Sequence, residues 1–177
     1  MFDLTGKVAL VTGVGSPAGI GFASAKLLAK AGANIFITST TDRVFEREQE
    51  LKSLFGKDKV YSLEADLTEE DQVLNLSKTI IEKFNKIDIV VNNAGMVQIG
   101  NDQPSKKFIE HSLESWNYGI DINLKSTFLV TRNILPHLKK QKSGRIINIS
   151  SVTGPIVGIS GSTVYGSAKA AMLGLTR

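Results

Sequence analysis

The chain has 177 residues, which predicts a single domain. Hydrophobic residues make up 42% and charged residues 21%, an ordinary globular balance with enough apolar mass for a sizeable core. The net charge of +4 is spread over scattered lysines and arginines, which argues against a nucleic-acid partner, and the absence of cysteine excludes disulfide and thiolate chemistry.

No stretch approaches about 18 uninterrupted apolar residues, so no membrane span is expected. The opening segment MFDLTGKVALVTG lacks the charged start, apolar run and cleavage site of a secretion signal. A cytoplasmic setting is the expectation.

In chain order, short apolar runs alternate with longer helical patterns. KVALVT (7–12) reads as a buried strand. Residues 19–33 read as a helix, with Phe22, Ala25, Leu28 and Ala29 at helical spacing and Gly32 as its stop. NIFITS (34–39) is a second strand, followed by a polar helix over 42–55 that Asp42 could cap. KVYSLEAD (59–66) is a third strand. Thr68 is expected to cap the next helix, with Glu69, Glu70 and Asp71 in its first turn.

IDIVVNNAG (87–95) is a fourth strand. A loop through Pro104 leads to a short helix near 108–118, and a long helix follows over 123–140, with Asn123 at its start as an N-cap. Pro136 should bend or end that helix late. The cluster Lys139-Lys140-Gln141-Lys142 lies at the helix end, where lysines favour the negative pole of the dipole. GRIINISS (144–151) is a fifth strand, VTGPIVGISGS a loop, and residues 163–177 a last helix. Such alternation predicts a parallel sheet covered on both faces and doubly wound, with ligands at the carboxyl ends of its strands.

Two constellations carry chemistry. TGVGSPAGIG (12–21) follows the first strand and opens a helix. Its glycines let the backbone turn tightly and approach a pyrophosphate, beside the free N–H groups of a helix start. At the end of the second strand, Ser39 and Thr40 stand where a ribose-binding carboxylate is common, with Arg43 just behind. That favours NADP, with NAD as the alternative. The second constellation is Tyr165 and Lys169, four apart on one helix face. An ammonium beside a phenol favours the phenolate, which suits a phenol to proton transfer. His111 and His137 have no partner at metal-ligand spacing, so no metal is expected. Trp116 and Phe128 read as core.

NNAG at 92–95, Asn123 in DINLKSTF, the serine of NISS and Tyr165–Lys169 occur together and in order. The chain thereby resembles the short-chain dehydrogenase/reductase family, in particular those of the 3-oxoacyl-(acyl-carrier-protein) reductase type. The resemblance implies a Rossmann-type sheet of five strands in the order 3-2-1-4-5. It implies that Thr12, Gly13, Gly19, Ile20 and Gly21 line a pyrophosphate, with Thr40 and Arg43 near the adenosine ribose. Asp66 would accept from the adenine amino group beside Leu67, while Asn93, Ala94 and Gly95 shape the ribose wall and steady the sheet. Ser151, Tyr165, Lys169 and Asn123 would form the catalytic group, Asn123 by holding a water; Tyr165 and Lys169 would also contact the cofactor. Ser151 is favoured over Ser150 as the last of the strand-end pair.

The implied reaction is reduction of a small-molecule ketone or 3-oxoacyl thioester, and the implied assembly is a homo-oligomer through helices 123–140 and 163–177, with Ala168, Ala170, Ala171 and Gly174 allowing close approach. The pattern departs from the family in two places: five residues separate Gly13 from Gly19 where three are usual, so no role carries over to Gly15 or Ser16, and the stretch from Ser151 to Tyr165 is slightly long. The family continues past the last helix with a sixth strand and the segments that cover substrate. The chain is therefore expected to be a fragment of a longer protein, and a nucleotide-binding or subunit-contact remnant without turnover is the alternative.

Overall fold

The computed structural model describes residues 2–95 and 106–177. Pro104 and the loop around it lie outside them. Five strands form one parallel sheet: β1 (Val8–Thr12), β2 (Asn34–Ser39), β3 (Val60–Glu64), β4 (Ile89–Asn92) and β5 (Arg145–Asn148), in the order β3-β2-β1-β4-β5. This is the order the resemblance implies. The helices are α1 (Ile20–Lys30), α2 (Arg43–Phe55), α3 (Glu70–Phe84), α4 (Leu113–Ile120), α5 (Ser126–Gln141) and α6 (Thr163–Thr176).

The central strands read as unbroken apolar runs because both faces are covered, and strand geometry sends alternate side chains to opposite faces. Val8, Leu10 and Phe36 join Leu76, Ile80 and Ile134 from α3 and α5 in one core layer. Ala9, Val11, Ile35 and Ile37 join Phe22, Ala25 and Leu51 from α1 and α2 in the other. Each fully buried side chain of this size stabilises the fold by about 1.5–3 kcal/mol.

Several local expectations need correction. Thr68 does not cap α3: Glu69 holds the N-cap position, and Thr68 instead donates its hydroxyl (2.7 Å) and N–H (2.9 Å) to Asp66 Oδ1. Asp42 stands at the N-cap of α2 in helical geometry without a side-chain cap bond. Of the two outcomes expected at Pro136, an ending does not occur there, since α5 continues to Gln141. The Gln141 amide then pairs with Ile87, two residues before β4, accepting from its N–H and donating to its C=O.

The largest correction lies between α4 and α5. Asn123 caps nothing. It sits inside a single π-type turn, Asp121–Lys125, through which α4 runs directly into α5. Its Nδ2 donates back to Gly119 C=O at 3.0 Å. An inserted residue of this kind is a common device for turning a side chain toward a site. Phe128, read as core, is 45% exposed.

Candidate active site

The cleft opens at the carboxyl ends of β1, β2 and β3. Gly13, Gly15, Ser16, Ser39, Thr40, Thr41, Arg43, Asp66, Leu67, Ala94 and Gly95 line it, with Ile122 and Ser126 from the far side. Its volume of about 210 Å³ is below the roughly 300–1,000 Å³ of usual ligand pockets, so it fits one end of a dinucleotide.

The floor is stitched before any ligand arrives. The Thr12 hydroxyl accepts from the N–H groups of Asn93 (3.0 Å) and Ala94 (2.9 Å). The Asn93 amide donates to the carbonyls of Thr12 (2.9 Å) and Gly13 (3.2 Å). Thr12 is therefore buried and occupied by β4, rather than facing the cleft. Gly13 has φ +72°, and a Cβ there would lie 2.8 Å from Ala94 Cα, so this crossing needs glycine. Gly21 is buried against the same turn: a Cβ on it would meet Asn93 Nδ2 at 2.6 Å. Gly19 is the N-cap of α1 with no side-chain cap bond, and Ile20 beside it is exposed. The first turn of α1 carries no acidic residue, so its N–H groups keep their positive character.

Thr41, Gly15 and Ser16 were given no role by the sequence, yet they border the cleft together with Ser39. Ser39 Oγ donates to Thr41 C=O (2.9 Å) and accepts from Thr41 N–H (3.2 Å). Thr41 Oγ1 then accepts from Arg43 Nε at 3.1 Å. This orients the guanidinium toward Gly15, where a Cβ would meet Arg43 Nη2 at 3.3 Å and Ser39 Oγ at 3.2 Å. The stretched glycine loop was the available signal for Gly15 and Ser16. Nothing in the sequence marked the turn at Ser39–Thr41.

The second half of the site is built where β5 meets α6. Lys169 is 3% exposed, and its ammonium donates to Ile149 C=O at 2.8 Å. Burial pushes its pKa below the ordinary 10.5. Its Nζ lies 5.7 Å from the ring centroid of Tyr165, one helical turn earlier and half-buried. Ser150 Oγ donates to Lys169 C=O at 2.8 Å. Ser151 Oγ accepts from Thr153 N–H at 3.1 Å, which leaves its proton available to donate. Gly95 joins the two halves: it lines the cleft, and a Cβ on it would lie 2.9 Å from Asn123 Oδ1 and 3.4 Å from Lys169 Nζ. Asn123, Gly95 and Lys169 thus converge.

The loop after β5 seats directly on α6. Gly154 has φ +97°, and a Cβ there would overlap the Gly166 carbonyl. Gly119 makes the corresponding contact with Val164, bringing α4 against α6. These glycines set the approach of the helix that carries Tyr165, and sequence reasoning passed over them because neither bears a functional group.

The pattern of the short chain dehydrogenase family matches residues 7–177. The chain belongs to this family. Among curated short chain dehydrogenase relatives, it is 39% identical over 175 residues to the 3-oxoacyl-[acyl-carrier-protein] reductase FabG of Aquifex aeolicus, covering 98% of this chain and 66% of that protein. It is 37% identical over 177 residues to the oxidoreductase UcpA of Salmonella typhimurium, covering all of this chain and 64% of that protein. The chain thus spans about two thirds of the length of these relatives. A metagenomic short-chain oxidoreductase solved in complex with NADP superposes with TM-score 0.85 at 29% identity, over 97% of this chain and 74% of that one. A structure from Sinorhizobium meliloti, provisionally described as a short-chain alcohol dehydrogenase, gives TM-score 0.88 at 29% identity, over 99% and 66%. Among the described residues, no helix is long and apolar enough to cross a membrane.

Proposed function

We propose that the protein, in the cytoplasmic setting expected from its sequence, reduces a ketone to a secondary alcohol, or runs the reverse oxidation, with NADP as cofactor and a 3-oxoacyl thioester as the substrate class. One observation carries the reading: a buried lysine and a tyrosine share one helix face, beside a serine whose proton is available to donate. The nicotinamide would supply or accept the hydride. Tyr165 gives its phenolic proton to the substrate oxygen in reduction. Ser151 donates a hydrogen bond to that oxygen as negative charge develops on it. Lys169 stabilises the phenolate left behind and holds the nicotinamide ribose. Asn123 supports Lys169 through a water.

Cofactor contacts follow the cleft. Gly13, Gly19, Ile20 and Gly21 would hold the pyrophosphate at the start of α1. Asp66 accepts from the adenine amino group beside Leu67, and Ala94 and Gly95 form the wall. Arg43, oriented by Thr41, and Thr40 receive the 2′-phosphate, as an oriented guanidinium suits a phosphate. The FabG relatives support the thioester, and the NADP-bound neighbour supports the cofactor.

Assembly with a second copy uses the outer faces of α5 and α6. The exposed Phe128, Leu135 and Leu173 support this, with Ala170, Ala171 and Gly174 between them. Ala168 is fully buried inside the chain and takes no part, contrary to the sequence expectation. The test of the reaction is Tyr165→Phe. It should abolish ketone-dependent NADPH oxidation while leaving NADPH affinity within about twofold. Turnover equal to the parent protein would refute the assignment.

A further inference from the structure

Lys169 is held at both of its ends by two consecutive residues. Ile149 C=O takes its ammonium, and Ser150 Oγ donates to its backbone carbonyl, each at 2.8 Å. These residues follow β5 directly, and the next one is Ser151. A side-chain bond alone, through a long flexible stem, would leave the helix backbone freedom at this turn, since the other directional tie, Asn148 Nδ2 to Thr176 Oγ1 at 2.9 Å, lies two turns further on. The added bond to the helix backbone removes that freedom. It is made at the residue whose ammonium is already fixed, one turn from Tyr165 and one residue from Ser151.

We propose that Ser150 is a positioning residue: its hydroxyl sets the rotation of α6 against the end of β5, and so the placing of Tyr165 and Lys169 relative to Ser151. Ser150 touches neither substrate nor cofactor. Its proton is occupied by the Lys169 carbonyl, which also removes it as the rival to Ser151. The Gly154–Gly166 contact limits how closely the loop and helix approach, but a contact between two glycines carries no direction about the helix axis. The Ser150 bond is directional and supplies what that contact lacks.

The proposal rests on the reaction reading above for its purpose, and its test is separate. The full chain is labelled with ε-13C lysine, and the Lys169 signal is assigned by its disappearance in Lys169→Arg. In the parent protein this signal stands apart from the exposed lysines, because the group is buried near the Tyr165 ring. In Ser150→Ala it should move toward the exposed lysines, with the other lysine signals unchanged. Ser150→Thr, which keeps a hydroxyl, should restore it. In the active protein Ser150→Ala should lower kcat by about tenfold to a hundredfold, with KM within about twofold, since small misplacements of reacting groups cost rate rather than binding. An unmoved Lys169 signal in Ser150→Ala would overturn the proposal, whatever the turnover. So would a general loss of dispersion across all lysines, which marks plain destabilisation. If Tyr165→Phe keeps full turnover while the Lys169 signal still moves as described, the reaction reading fails and the role of Ser150 in setting the helix stands.

Discussion

Lys169 and Ile149 form a pair in which a buried ammonium donates to a neutral carbonyl at 2.8 Å. A neutral acceptor satisfies one N–H direction but does not neutralise the charge, so the folded state carries a desolvation cost. Because the folded pKa lies below 10.5, the folded chain loses its proton first as pH rises. Stability from this group therefore increases from the folded value up to the unfolded one, and below both the cost is present in full. The uncharged Lys169→Met variant should lose turnover. Its stability relative to the parent protein should fall as pH is raised through alkaline values towards 10.5. Thermal melts of both proteins across that range check this, and a difference independent of pH would contradict it.

Asp88 behaves in the opposite sense. Burial alone would raise its pKa. The Val8 N–H at 2.9 Å, then Lys86 and Lys7, outweigh burial and hold the carboxyl below 3.8. A depressed carboxylate contributes stability above its unfolded pKa and loses it as pH falls through the folded one. Asp88→Asn should cost about 1–3 kcal/mol near neutrality. That penalty should vanish in acid, below the folded pKa, as read from urea unfolding at a series of pH values.

The seat of α6 is sensitive to one methyl group. Gly154→Ala forces a positive φ on a residue with a Cβ and drives that Cβ into the Gly166 backbone. Backbone cannot move aside as a flexible side chain can, so the cost should be about 2–4 kcal/mol, lowering Tm by roughly 10 °C. Gly158→Ala, in the same loop with open space around it, should melt with the parent protein.

Cofactor choice should follow the cleft at β2. Losing a charge-assisted contact to a phosphate costs about 1.5–3 kcal/mol. Arg43→Ala should therefore raise the KM for NADPH by roughly tenfold to a hundredfold and leave that for NADH within about twofold. Thr41→Val, which removes the acceptor for Arg43 Nε, should give a smaller change in the same direction. Equal effects on both cofactors would place Arg43 outside the phosphate site.

The sequence was most legible where a single physical constraint acted alone. Residues 34–39 read correctly to the residue, because an apolar run buried on both faces leaves few alternatives. The fifth strand read as 144–151 but pairs only over Arg145–Asn148, since the chain at Ile149 and Ser150 leaves the ladder to meet α6. The π-type turn at Asp121–Lys125 was not legible. It needs no breaker residue, and an asparagine just before a long helical pattern looks the same as a cap. Of the candidate site, residues bearing functional groups could be read from their motifs. Residues acting through missing side chains or local turns, such as Gly154, Gly166 and the Ser39–Thr41 turn, could not, because their role exists only once distant segments meet.

The Thr12 hydroxyl bears on how quickly a nucleotide can be captured. It already fastens the turn at Asn93 and Ala94 to the end of β1. An arriving ligand therefore finds a floor whose ordering entropy was settled during folding, and little of its binding energy goes into stiffening that floor. In the proposed complex, the floor beneath the adenosine would need no rearrangement on binding. The same hydroxyl ties the proposed nucleotide floor to the integrity of the central sheet, so loosening between β1 and β4 should weaken nucleotide binding.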